Sequence, residues 1–151
     1  MTALGFELLD LHVVRGKADA LACADESGAL TFAQLLDRVA SVAGGLSVLG
    51  VGIGHPVHID LPRGNSQVVA VCAVIRLGAI PSAAGDVRIA EVDGAEVVQV
   101  RGETVEFAVL ERAGRSEPAP ALRVDPDGYS EAVGVMFADI VEPLLSGSPV
   151  V

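Results

Sequence analysis

Apolar residues recur along this chain with two different periods, and the change from one to the other divides it. Leu35, Val39, Val42, Leu46 and Leu49 follow one another at spacings of four, three, four and three, while Asp37, Arg38, Ser41 and Ser47 occupy the other side. That stripe predicts an amphipathic helix over 31–49, with Thr31 as its N-cap. Gly44-Gly45 inside it costs about 1 kcal/mol per residue against alanine, so close packing is expected there in compensation. Upstream, Leu4, Leu8, Leu11 and Val14 suit a short amphipathic helix over 4–14. Two short extended pieces, 20–24 and 28–31, flank a turn at Glu26-Ser27-Gly28.

Gly50 ends the long helix, and the loop that follows leads to a strand at 57–61 and a turn at 62–65. The next helix, 66–77, has no polar face: Val68, Val69, Val71, Cys72, Val74 and Ile75 surround it. Such a helix needs cover on every side, from a larger assembly or another subunit. A strand at 80–84 returns, so 57–84 is a strand–helix–strand crossover with parallel, right-handed pairing.

Beyond Asp86 the period falls to two. Val87-Arg88-Ile89, Val98-Gln99-Val100 and Val105-Glu106-Phe107 alternate, divided by turns at Asp93-Gly94 and Arg101-Gly102-Glu103. This predicts a three-stranded antiparallel meander over 87–111. A loop at 113–120, a short strand at 122–124, a turn at Asp125–Gly128 and a last helix over 130–145, kinked at Pro143, complete the pattern. Val150-Val151 then begin a strand. The fold class is α/β: a small, mostly parallel sheet with its crossover at 57–84, an antiparallel β-meander and a C-terminal helix, in a single domain over 1–151.

Composition narrows the choice of partner. A chain of 151 residues can bury roughly 68–70% of its unfolded surface. With 51% hydrophobic and 3% aromatic residues, the core is aliphatic. The net charge of −10 argues against nucleic acid or an anionic membrane as partner, since both reward clustered Lys and Arg. The longest apolar run, Val68–Ile75, falls far short of the ~20 residues that span a bilayer. The first residues lack the basic flank and apolar stretch of a signal peptide, which leaves the cytoplasm as the expected compartment. Cys23 and Cys72 form no motif and are expected to be reduced and partly buried.

Candidate chemistry is sparse. Gly50-x-Gly52-x-Gly54 leaves a helix and enters a strand, the reverse of a phosphate-cradling loop. His55, His58 and Asp60 cluster along one strand, but only His58 and Asp60 share a sheet face, His55 precedes it, and no third ligand is evident. Glu103, Glu106 and Glu111 fit the solvated face of the meander, and Ser66 and Ser82 have no partnered histidine.

One ordered set of motifs says more. Leu30-Thr31-Phe32-Ala33-Gln34-Leu35, then Arg38, Val39, Leu46, Gly50 and Val51, then Gly54-His55-Pro56-Val57 and Leu61-Pro62, and finally Leu77-Gly78-Ala79-Ile80-Pro81 stand in order over 21–86. The set resembles the amino-terminal part of the adenylate-forming superfamily: acyl-CoA synthetases and the adenylation domains of peptide synthetases. Gln34 stands where that signature carries glutamate, and Asp86 where a proline is usual. A fainter similarity, to a later helix–turn–strand of the superfamily, covers 137–151, and 87–151 otherwise reads as a divergent β-rich extension. The resemblance implies an ancestor that activated carboxylates with ATP. That reaction needs a Gly/Ser/Thr loop, a metal-binding carboxylate and a mobile lysine to manage phosphate charge.

None of these has a counterpart in this sequence, where Lys17 is the only lysine and lies upstream of the matching stretch. The resemblance therefore implies no catalytic, cofactor-binding or metal-binding residue, and no cofactor. It implies a truncated, non-catalytic relative acting as an assembly or regulatory module through protein–protein contact. The alternatives are a module that binds an acyl or carboxylate ligand, and one half of a split ligase. The mean hydropathy of +0.53 adds the expectation of a two-fold homodimer.

Overall fold

The computed structural model of the protein describes residues 3–134 and 136–150. Two strands, β1 (Leu21–Asp25) and β2 (Gly28–Thr31), pair antiparallel as a small sheet of their own. They lead into α1 (Phe32–Val48), whose N-cap is Thr31. The Gln34 N–H donates to the Thr31 hydroxyl at 3.2 Å, and the Thr31 N–H donates to Gln34 Oε1 at 2.9 Å. This reciprocal box needs only a side-chain carbonyl at the third helical position, so glutamine serves as well as glutamate.

The second sheet has five strands in the order β4-β3-β5-β6-β7. It is built from β3 (Pro56–Asp60), β4 (Ile80–Ser82), β5 (Val87–Val92), β6 (Ala95–Val100) and β7 (Glu103–Glu106). The central strand β3 is parallel to β4 on one side and to β5 on the other, and β5, β6 and β7 continue antiparallel. Residues 83–86 carry the chain past the start of β3, where a Cβ at Gly85 would stand 2.8 Å from the Pro56 carbonyl oxygen. Both hairpin turns place two successive residues at positive φ, Asp93 with Gly94 and Arg101 with Gly102. That is the backbone twist that two-residue hairpins require.

The sheet has one apolar face. Val57, Ile59, Val87, Ile89 and Val98 are buried on it. The paired positions Ser82, His58, Arg88, Gln99 and Thr104 form a polar row across all five strands on the opposite face. Between the sheets runs α2 (Asn65–Arg76), on which every residue from Val68 to Arg76 is buried. Its cover comes from this same chain, through α1, β1, β3 and β4, and from Tyr129 and its neighbours. The Tyr129 hydroxyl donates to the Ala79 carbonyl, and Arg76 at the end of α2 forms an ion pair with Asp10 at 2.7 Å. A cationic side chain can stay buried there because its guanidinium is matched by a carboxylate and by the Ala119 carbonyl oxygen at 2.6 Å.

Several expectations fail, each for a local reason. The meander ends at Glu106, because Phe107, Leu110, Glu111 and Gly114 fall on one side of a helix, α3 (Phe107–Gly114), instead of continuing the strand alternation. Leu122–Val124 is not a strand, and the expected loop at 113–120 begins inside α3. The helix at 130–145 is two: α4 (Tyr129–Gly134) and α5 (Ala138–Leu145), with Pro143 inside the second. The 4–14 segment is helical with wide turns at Phe6–Asp10 and Val13–Lys17, not a regular α-helix. The strand at 80–84 stops at Ser82. Of the terminal strand, Val150 makes one parallel bridge, to Cys23, and Val151 lies outside the described residues.

Candidate functional site

A surface groove of about 160 Å³ lies between the outer edge of β1 and the first turn of α2. Cys23, Ala24 and Asp25 form one side of it, Gly64, Gln67 and Val68 another, and Asp139 and Ile140 of α5 a third. Val150 stands at one end, its N–H donating to the Ala22 carbonyl at 2.8 Å. Arg63 and Asp139 on the lining form an exposed ion pair at 2.9 Å.

Asp25 decides the electrostatics of this corner. Its Oδ2 accepts the Asn65 N–H at 2.7 Å, and its Oδ1 accepts the Ser27 N–H at 2.8 Å and the Ser27 hydroxyl at 2.5 Å. The Asn65 side-chain amide donates to Asp25 Oδ1 at 3.1 Å and to the Gly28 carbonyl at 3.0 Å. The carboxylate therefore sits on the positive end of α2, where a free anion would otherwise bind. Gly64 is required beside it, since its φ is +157° and a Cβ would stand 2.9 Å from Asp25 Oδ2. The Ser27 hydroxyl, then the Asn65 N–H, hold the Asp25 carboxyl below the usual carboxylate range.

The sign of the pH dependence follows. A depressed folded pKa contributes stability that is present above the unfolded value of about 3.9 and is lost as pH falls through the folded value. Asp25→Asn is expected to lower the melting temperature at neutral pH. Its deficit against the parent should narrow in melts taken progressively below about pH 4. A deficit independent of pH would show that the charge of Asp25 is not what fastens the hairpin to α2.

Chemically the groove offers little. Burial, with Asp25 adding to it, pushes the Cys23 thiol up to about 11, so it is protonated at neutral pH and a poor nucleophile. Burial also raises Cys72, and both cysteines are free and buried. The Asp25 carboxylate, whose charge acts on Cys23, is taken up by hydrogen bonds from Ser27 and Asn65.

The residues singled out from sequence do not converge. His55 Nε2 lies 3.1 Å from Asp86 Oδ1, whereas Asp60 pairs with Arg88 at 2.6 Å, and His58 lies in the polar row of the sheet. Among the described residues no three His, Cys, Asp or Glu side chains are placed to hold a metal ion. Positions 50, 52 and 54 line the turn from α1 to β3, and no neighbour lies within 4 Å of a Cβ built at any of these glycines. Ser66 donates to Glu96 at 2.8 Å, and Ser82 accepts the Ala84 N–H at 3.4 Å.

Glu103 and Glu106 are exposed on β7, but Glu111 is not on a solvated face. It is 7% exposed on α3 and accepts from Arg38 Nε at 3.0 Å and Nη2 at 2.9 Å. Sequence reasoning missed the Asp25–Asn65 junction, although Asp25-Glu26-Ser27 is a spacing that favours an Asx turn. It also missed buried His12, whose Nε2 lies 2.6 Å from the Leu144 carbonyl oxygen.

Known proteins share both the sequence pattern and the fold. The family model described as AMP-binding enzyme matches residues 11–99, a wider stretch than the 21–86 motif set that takes in β5 and most of β6. Acetyl-coenzyme A synthetase of Rhodopirellula baltica is 35% identical over 88 residues, 51% of this chain and 13% of that protein. Pyochelin synthetase PchE of Pseudomonas aeruginosa is 44% identical over 62 residues, 41% of this chain and 4% of that protein. The N-terminal subdomain of Klebsiella oxytoca NpsA superposes with a TM-score of 0.62 at 18% identity, covering 82% of this chain and 35% of that one. A benzoate CoA ligase from Burkholderia xenovorans also gives 0.62 at 18% identity, over 85% and 31% of the two chains. The chain thus spans a small part of the length of these relatives. Its α/β fold matches that of the NpsA N-terminal subdomain, and with the family model matching more than half of its residues, the chain belongs to the AMP-binding enzyme family.

Proposed function

We propose that this chain is an assembly or regulatory module built on the amino-terminal portion of an AMP-binding ligase, working through protein–protein contact and performing no adenylation of its own. The observation that carries this reading is where the residues after β4 go. Residues 87–114 contain no Gly/Ser/Thr loop with a lysine, and they are committed to the core as three strands and a helix that Glu111 ties to Arg38. Phosphoryl chemistry on ATP is mostly positioning and charge stabilisation, and the groups that supply them are absent from this sequence. The purified chain with ATP and a broad panel of carboxylic acids is expected to release pyrophosphate only at background rate. Release above that rate with any acid would overturn the reading.

A specific observation favours a second reading, one half of a split ligase. The curated relatives include acetyl-coenzyme A synthetases, of whose length this chain matches 13%, so ligase chemistry would need groups that these residues do not supply, and on the split-ligase reading a second polypeptide brings them. The third reading, an acyl or carboxylate binding module, is separated from both by melting the protein with ATP, AMP, CoA and acyl-CoAs. A ligand present at a hundred times its Kd raises stability by about 2.7 kcal/mol. No shift is expected on the assembly reading, and a shift with acyl-CoA alone would favour the binding module.

The same proposal has the protein in the cytoplasm as a two-fold homodimer, without a nucleic-acid or membrane partner. The net charge of −10 supports the last point, and no helix among the described residues is long and apolar enough to cross a membrane. For the dimer, the support is apolar surface left open, including Val48 at 77% and Val14 at 75% exposure, together with the outer edge of β1. Light scattering at micromolar concentration should report twice the chain mass. A monomer mass that persists on concentration would mean that α3, α4 and α5 complete the cover of the core.

A further inference from the structure

We draw no further inference here: the strongest candidate, the groove of about 160 Å³ between the outer edge of β1 and the first turn of α2, which Val150 enters by a single bridge, carries nothing because nothing in the structure shows what covers the rest of it.

Discussion

Replacing Gly114 by alanine is expected to destabilise the protein by about 3 kcal/mol or more, the upper end of what an overpacked contact costs. A Cβ at Gly114 would lie 1.7 Å from the Ser41 carbonyl oxygen and 2.8 Å from the Gly45 nitrogen, both backbone atoms of α1. Side chains can rotate out of a clash, but neither of these atoms can move without bending its helix. The approach is close from both sides: a Cβ at Gly44 would meet the Glu117 carbonyl oxygen at 2.2 Å, and one at Gly45 would meet Leu110 at 2.6 Å. For a domain of this size, 3 kcal/mol corresponds to a fall of roughly 6–12 °C in Tm. Thermal melts of Gly114→Ala followed by circular dichroism will measure it. Gly52→Ala serves as the control, because no neighbour lies within 4 Å of that position. If Gly114→Ala melts with Gly52→Ala, the backbones of α1 and α3 are not in contact.

Val71→Asp is expected to leave the chain unfolded at room temperature. Val71 is fully buried at the middle of α2, and its neighbours Val69, Ala70, Ala73 and Val74 are fully buried as well. An aspartate there would have to stay charged without a partner, or take up a proton at neutral pH. Either route costs roughly 5 kcal/mol or more, as much as the whole stability of a marginal domain. Far-UV circular dichroism and amide dispersion in a proton–nitrogen spectrum read the outcome directly. Val71→Ala should remain folded with a lower Tm, which separates the effect of charge from that of lost volume. A cooperative melt of Val71→Asp within a few degrees of the parent would place α2 at the periphery and overturn the topology.

These two positions differ in how far they could be read in advance. Val71 belongs to a helix whose apolar residues lie on every side, and that pattern alone says that the helix is central. Gly44-Gly45 likewise announces a close approach inside a helix that has no other reason to accept glycine. What approaches was not legible. The partner is α3, whose apolar stripe of Phe107, Leu110 and Gly114 is short and directly follows the alternating Val105-Glu106 of β7, so the change of period is hidden for several residues. The acidic residue in that stripe hid it further. Glu111 reads as a surface carboxylate until Arg38, 73 residues away, is brought against it.

The candidate groove shows the same division. Cys23 was legible as a reduced, unreactive thiol, because an isolated cysteine in an aliphatic strand has no group nearby in sequence to ionise it, though its burial is more complete than the partial burial expected. Asp25 was not legible as the anion that occupies the start of α2, since its partner Asn65 lies 40 residues away. No spacing rule links a hairpin to a helix that follows it across another helix and a strand.

Sequence by itself determined whatever rests on a few consecutive residues: the N-cap at Thr31, the turns at Asp93-Gly94 and Arg101-Gly102, the crossover around α2, and the ordered motifs that carry the family. Backbone propensity and hydrophobic period act over less than a few turns, so these features are settled before the chain compacts. Only the tertiary structure decided that β5 joins β3 on the side away from β4, that Glu111 turns inward, and that Tyr129 closes over the turn after α2 by bonding Ala79 from 50 residues away. Those outcomes depend on which surfaces remain uncovered once the sheet has formed. A buried arginine or carbonyl takes its partner from whatever segment the chain lays over it, because leaving it unpaired costs more than bending that segment into place.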